Sequence, residues 1–509
     1  MKFRVKDVPL KLMSSSVLMN PEDVAELGLV VGDRVKVLFK ERSCIKDIHI
    51  AMEMLDRGEI GFCKTTGPCE ITVPEGDEID VFPVSKPESV EYIKKKMNGG
   101  RYSKTELHTI IQDIADNMLN EVELTAFVLS NYLQNVDTDE IEWMTRAMIE
   151  TGERLHIEHG TVVDKHSIGG VPGNKISLLI VPIIAASGLL IPKTSSRAVT
   201  SASGTADTME VLANVSLTMD EIKEITEQVG GVIAWGGTTT IAPADDLIIQ
   251  VERHLSIDPK PQLIASILGK KGAIGAKHVV IDIPVGGSKV LDLDHGKELA
   301  NAFTELGRRI GLEVSCLLTY GKQPIGMAIG PALEAQEALH ALEDPSSPRS
   351  LIEKSVGIAG TLLEMSGKAI NGSEYANDML KTGKALKKFK EIVEAQGGDP
   401  RITSAMIPVG DLTHHVQTTF GGAVSSIDNG RLVRLARAAG APKDKGAGVL
   451  LHKKLGFQVK NDEVLFTIYA EKDWKLDRAI ALAASEPPVQ VSGMILEQYP
   501  QFRTMKEET

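Results

Sequence analysis

Apolar positions alternate, or run β-branched, through MKFRVKDV, DRVKVLFK, EIGFCKTT and EIDVFPV, and polar turns such as Gly32-Asp33 separate them. Period-two patterning broken by turn residues predicts short strands. Residues 1–84 are therefore expected to form a small β domain, with MNPEDVAELGLVVGDRVKV giving a short helix, a turn and a strand. From residue 87 to 155 the period changes. Leu107, Ile110, Ile111 and Ile114, then Leu124, Phe127 and Val128, recur at helical spacing. TDEIEWMTRAMIETGERL predicts another amphipathic helix, started by Thr138 with Asp139 and Glu140 in its first turn.

Beyond residue 160 strands and helices alternate. TVVDKHS, LLIPKTSSR, GGVIAWGG and HVVIDIPVGG predict buried strands. NKISLLIVPIIAASG predicts a helix ended by Gly188, and TADTMEVLANV one that Thr205 could cap. That alternation predicts an α/β fold with a mostly parallel central sheet over 160–240 and about 277–410. The helix-rich stretch of about 242–275 is expected to leave the sheet and join the first helices, giving a separate helical domain across a cleft. Residues 411–509 predict a C-terminal α+β unit.

Composition narrows the class. The chain has 509 residues, 42% hydrophobic and 25% charged, as a soluble multidomain enzyme would. Aromatics are 4% and the net charge is −13, which argues against a nucleic-acid-binding surface. Cys63 and Cys69 lie six apart without a second pair, so no zinc site is expected and free thiols in a reducing cytoplasm are the simpler reading. The N-terminus has no apolar signal segment. The longest apolar run, Leu178 to Ile191, is interrupted by proline, serine and glycine and falls short of the roughly 20 residues of a membrane span. A cytoplasmic protein without membrane contact is expected.

Two polar loops carry the candidate chemistry. DKHSIGGVPGNKIS follows a strand and precedes a helix expected to begin near Asn174. Gly169, Gly170 and Gly173 allow close backbone approach, while Lys165, Ser167 and Ser177 offer charge and hydroxyl donors. These are parts of a phosphate cradle. It is not a nucleotide-triphosphatase loop, because Lys175 has no serine or threonine directly after it. TSSRAVTSASGTAD again lies between strand and helix, with seven hydroxyls and Arg197. Two such loops at the carboxyl edge of a parallel sheet would share a ligand.

KHSIGGVPGNKIS, SSRAVTSASGTAD, APADD, PQLIASILGKK and VVIDIPVGGSKV occur in this order. Over about residues 87 to 500 the chain resembles the thymidine and pyrimidine-nucleoside phosphorylase family, and most of all its archaeal, AMP-cleaving branch. The segment before residue 85, similar in pattern to double-psi-barrel modules, fits that branch. The resemblance implies phosphorolysis, with AMP and inorganic phosphate as partners and no cofactor or metal. The products would be adenine and ribose 1,5-bisphosphate, with CMP and UMP as further substrates and a homodimer or higher homo-oligomer as the assembly. It implies Lys165, Ser167, Ser177, Ser195 and Thr205 as phosphate ligands, with Pro172 as a one-residue insertion before Ser177. It implies Ser266 and Lys270 at the base. It also implies Gly170, Ser196, Arg197, Ala198, Val199, Thr200, Ser201, Thr205 and Lys289 at the nucleotide, the turn before Lys289 being one residue short.

The chain departs from the pyrimidine-specific members at Val251, fifteen residues before Ser266, where they carry an arginine; Arg253 and His254 are out of register. Asp258 is the implied proton donor, with a pKa to be raised by burial or by phosphate. His166 is the competing acid–base group. A pyrimidine-nucleoside phosphorylase is the nearest alternative. A phosphoribosyltransferase of anthranilate type would need an acidic pair for magnesium pyrophosphate, which is not evident. A non-enzymatic scaffold would not be expected to keep Lys165, Ser167, Thr205, Ser266 and Lys270 together.

Overall fold

The computed structural model describes residues 1–11, 16–40, 42–64, 73–198 and 201–493. The chain divides into two units: Met1–Glu153 with Ile241–Ala273, and Arg154–Thr240 with Ile274–Thr509.

In the first unit six strands close into a barrel around Phe3, Val5, Val17, Val35, Ile48 and Ile60. Closure removes the open edges that a small sheet would otherwise expose. The helix Pro21–Glu26 forms as expected, capped by Asn20. Two strands, Ser16–Met19 and Arg42–Ile50, go beyond the pattern reading. One is only four residues long, and Arg42, Lys46 and Asp47 dilute the alternation of the other.

Helices Ser89–Met97, Lys104–Ala115, Glu121–Leu133 and Thr138–Thr151 follow. The last three start with reciprocal capping boxes, Ser103 with Glu106, Asn120 with Glu123, and Asp137 with Glu140. Thr138 starts the fourth helix as expected, and Asp137 caps it: its carboxylate accepts from the amides of Asp139 and Glu140, each at 3.0 Å. Helices Pro243–Leu255 and Lys260–Ala273 send Ala244, Ile248 and Ala265 into the core formed by Leu107, Ile111, Phe127 and Met144. Barrel and helices are tied by Arg34, whose Nη2 donates to both oxygens of Glu123 at 2.8 and 2.7 Å.

The second unit is built on parallel strands. Val163–Ser167 pairs with His278–Val285, which pairs with Glu313–Tyr320. Ile191–Ser195 pairs with Gly231–Trp235. The two sets meet through a parallel bridge between Val162 and Leu190. The chain therefore fills one side of Val163–Ser167 first and returns to fill the other. The direction reverses between Val163–Ser167 and His278–Val285, and such a reversal point opens a crevice at the carboxyl ends of the strands. Glu313–Tyr320 was not expected from the sequence, because its half-exposed residues mix polar and apolar without a clean period.

Ser177–Ala186 is apolar and buried on every face, as a central helix should be. It starts three residues later than expected, because the Lys175 amide turns back to the Gly173 carbonyl. Thr205–Met209 is a five-residue helix instead of the longer one expected. The chain beyond it is recruited elsewhere, with Asn214 donating to the Gln396 carbonyl and Val215 accepting from Trp235. Two antiparallel sheets and the helices Asn429–Ala439 and Asp473–Ser485 complete the unit. One sheet includes Ala328–Ile329, paired with Gly448–Leu451, so the C-terminal fold reaches back well before residue 411. Among the described residues no helix is long and apolar enough to cross a membrane.

Candidate active site

The first loop leaves the sheet at Ser167. Strand alternation puts Lys165 and Ser167 on one face, and the Lys165 Nζ lies 3.3 Å from the Ser167 Oγ. Lys165 is buried, an ammonium held close under the loop rather than a surface charge. His166, half-buried, points to the other face of the strand. Gly169, Gly170 and Gly173 all have positive φ, from 72° to 89°, a region that favours glycine. Gly170 also accepts from the Ser288 amide at 3.3 Å. A Cβ at Gly170 would lie 3.1 Å from the Lys289 amide nitrogen and 3.2 Å from the Ser288 hydroxyl, a tight fit. The structure thus brings Gly170 and Lys289 together at the reversal point of the sheet.

The second loop leaves the sheet at Ser195. It folds around Asp207, whose carboxylate accepts from the amides of Ala198 at 2.6 Å and Gly204 at 3.0 Å. Gly204, not Thr205, is the capping residue, and Thr205 is the first helical residue. Gly204 has an ordinary φ; it must be glycine because a Cβ would lie 2.5 Å from the Ser196 carbonyl oxygen. Ser201 Oγ donates to the Ser203 carbonyl. Val199 and Thr200 lie outside the described residues.

Arg197 is already committed. Its guanidinium grips both oxygens of Glu210, approaches Asp207, and sits 4.6 Å from the centre of the Trp235 ring. Lys445 adds a second cation to Glu210 at 2.7 Å. The hydrogen bond from Arg197, then Lys445, pulls the Glu210 carboxyl down to a pKa of about 2. The sequence pointed to Arg197 but not to Asp207, Glu210 or Trp235. An aspartate three residues after a glycine at a helix start was the available signal for Asp207.

The hydroxyl oxygens of Ser177 and Ser195 are buried and have no hydrogen-bond partner among the described residues. Such a group costs about 1–3 kcal/mol and in a native fold calls for an explanation. Ser177 opens the helix Ser177–Ala186, and Ser195 closes its strand at the carboxyl edge.

In the first unit Lys270 forms a 2.6 Å ion pair with Asp245, whose side chain is 1% exposed. Burial works against the ammonium, but Asp245 and then Asp246 outweigh it and hold the Lys270 pKa above its usual value. Burial lifts Asp246 to about 6. Both aspartates belong to the APADD run, whose acidic ending was the signal for them. Ser266 is half-buried one helical turn before Lys270. Val251 packs against the helical core. Asp258 is exposed, in the connection between helices Pro243–Leu255 and Lys260–Ala273. The burial expected of it is therefore not found. Among the described residues no cluster of His, Cys, Asp or Glu could hold a metal ion, and Cys44 and Cys316 are free thiols.

Comparison with known proteins fixes the class. Residues 90–152 match the helical bundle domain of a glycosyl transferase family, 159–386 its a/b domain, and 423–489 the pyrimidine nucleoside phosphorylase C-terminal domain. The chain is 58% identical to AMP phosphorylase 1 of Archaeoglobus fulgidus, 50% to an AMP phosphorylase of Methanocella arvoryzae and 46% to one of Pyrococcus furiosus. Each match covers 98% of this chain and 99% of the relative. This chain belongs to the AMP phosphorylases, within the thymidine and pyrimidine-nucleoside phosphorylase family. Anthranilate phosphoribosyltransferase of Thermus thermophilus aligns over 60% of the chain at 19% identity and a TM-score of 0.49, too distant to bear on function.

Proposed function

We propose that the protein cleaves AMP with inorganic phosphate, releasing adenine and forming ribose 1,5-bisphosphate, and that CMP and UMP are also substrates. The observation that carries this reading is the pair of buried, unpartnered hydroxyls, Ser177 and Ser195, on the two loops that hold Lys165, Ser167 and Thr205. A phosphate ion accepts hydrogen bonds at every oxygen and would satisfy both. Full-length similarity to AMP phosphorylases supports the choice of substrate.

In this reading Lys165, Ser167, Ser177, Ser195 and Thr205 hold the attacking phosphate. Gly170, Lys289 and the 196–201 loop engage the nucleotide. The Arg197 guanidinium is bound to Glu210, the Ala198 amide to Asp207 and the Ser201 hydroxyl to the Ser203 carbonyl, so in this reading Arg197 lends charge to the 5′-phosphate from behind the loop. Ser266 and Lys270 hold the base, and His166 orients it. A phosphate oxygen forms the new bond to C1′ as the C1′–N9 bond breaks. The Asp258 proton moves to N7, so adenine leaves neutral. Fixing the phosphate in line with C1′ turns a bimolecular attack into an effectively unimolecular one. The family resemblance supports assembly as a homodimer or higher homo-oligomer in the cytoplasm, and the exposed Val122 and Leu133 of helix Glu121–Leu133 are candidates for such a contact.

The test is product analysis. Incubation with AMP and phosphate should yield adenine and, by phosphorus NMR, a ribose carrying two phosphates, with no turnover when phosphate is omitted. Base release that continues at full rate without phosphate would make the enzyme a hydrolase and overturn the reading.

A further inference from the structure

Lys175 lies in the phosphate loop, between Gly173 and Ser177, yet its ammonium turns away from the role its position suggests. The side chain is fully buried. Nζ donates to the carbonyls of Ile325 at 3.2 Å and Ala328 at 2.9 Å, and to the Glu337 carboxylate. Glu337 in turn accepts from the amides of Met327 at 2.7 Å and Ala328 at 3.3 Å. The strap 323–329 also donates back to the loop, from the Ile325 amide to the Pro172 carbonyl at 3.1 Å.

A second buried ammonium grips the same strap. Lys454, beyond the strand Gly448–Leu451, donates to the carbonyls of Pro324 and of Gly326, the latter at 2.9 Å. The Leu455 amide donates to Gln323 Oε1, and the Leu451 amide to the Met327 carbonyl. Four carbonyls of one short segment are thus held by two lysines far apart in sequence. The packing around Lys175 leaves no slack. A Cβ at Gly173 would lie 2.7 Å from the Ile325 oxygen, and one at Gly326 would lie 2.2 Å from Glu337 Oε2.

We propose that Lys175 is a positioning residue rather than a phosphate ligand: with Lys454 it clamps the 323–329 strap, and the strap fixes the Gly173–Ser177 part of the phosphate loop. The C-terminal fold thereby sets the geometry of the phosphate cradle through Lys454. A buried ammonium suits this task because each carbonyl it holds would otherwise be an unsatisfied acceptor. Its three donors join separate chain segments. The proposal rests on the cradle assigned above as the phosphate site.

The test is calorimetric titration of the full chain with inorganic phosphate, beside steady-state kinetics, for Lys175→Met, Lys454→Met and the double variant. Binding of phosphate is read without turnover, so wild type that binds phosphate but leaves AMP intact would fail the functional reading and leave the clamp standing. Each single variant should lose about tenfold in phosphate affinity, the scale of coupling through packed and hydrogen-bonded elements. KM for AMP should change much less. The double variant should be little worse than Lys175→Met, because both act through one strap. Where a methionine variant does not fold, Lys454→Gln, which keeps a donor, takes its place. Unchanged phosphate affinity on altering Lys454 would overturn the proposal. So would strictly additive losses in the double variant, which would mean that Lys175 acts on phosphate independently of the strap.

Discussion

At the scale of single residues the site is a set of groups whose costs in the free protein make sense once a ligand arrives. Ser177→Ala and Ser195→Ala each remove a buried hydroxyl that has no partner among the described residues. Neither should destabilise the free protein, and removing the orphan could raise the melting temperature slightly. Each should weaken phosphate binding by about 1–3 kcal/mol, the worth of a hydrogen bond to a charged acceptor. Melting curves with and without phosphate check both halves, and a variant that lost stability without losing phosphate affinity would contradict the cradle assignment.

Asp258 makes a different case. It is exposed, so the proton-donor role proposed for it depends on bound substrate. Asp258→Asn should leave AMP affinity nearly unchanged and cut turnover by about 10² or more. A nucleotide whose base departs without protonation should recover much of that rate. His166→Ala should disturb binding and gain nothing from the activated analogue. The reverse pattern would make His166 the acid.

At the scale of elements the second loop is held in shape by charge. Arg197 and Lys445 each bridge Glu210 and Asp207, and Trp235 backs the guanidinium. The Glu210 carboxyl is depressed from 4.5 to about 2. A depressed carboxylate contributes stability that is present above its unfolded pKa and is lost as pH falls toward the folded one. Melting temperature should therefore fall more steeply below pH 4.5 in wild type than in Glu210→Gln. Parallel curves for the two would mean that the cluster does not stabilise the fold.

The elements also show where sequence reading succeeds. Gly169, Gly170 and Gly173 were legible because positive φ is a local demand that glycine answers. The strands around Val232 and Val279 were legible because buried parallel strands are nearly continuous apolar runs, and those at Val163 and Ile191 because a short apolar run leads into a polar loop. Thr138 and Thr205 are the first helical residues, but the capping position lies one residue earlier, on Asp137 and Gly204, and that choice depends on backbone path.

At the scale of the whole molecule most of what organises the site lay beyond local pattern. Lys175 with Glu337, Glu210 with Lys445 and Lys454 with Gly326 join residues more than a hundred positions apart, and no periodicity announces such pairs. The excursion Ile241–Ala273 could be read as helical from its own sequence. The partners Leu107 and Phe127 that bury it are supplied only by the fold.

The central claim is that the protein uses phosphate to split a nucleotide, with the 5′-phosphate as a required handle. It is tested most directly by kcat/KM for AMP and adenosine under saturating inorganic phosphate. Contacts to a charged 5′-phosphate worth about 3 kcal/mol or more predict a preference for AMP of at least about 10². Equal values for AMP and adenosine, or faster cleavage of thymidine than of either, would contradict it.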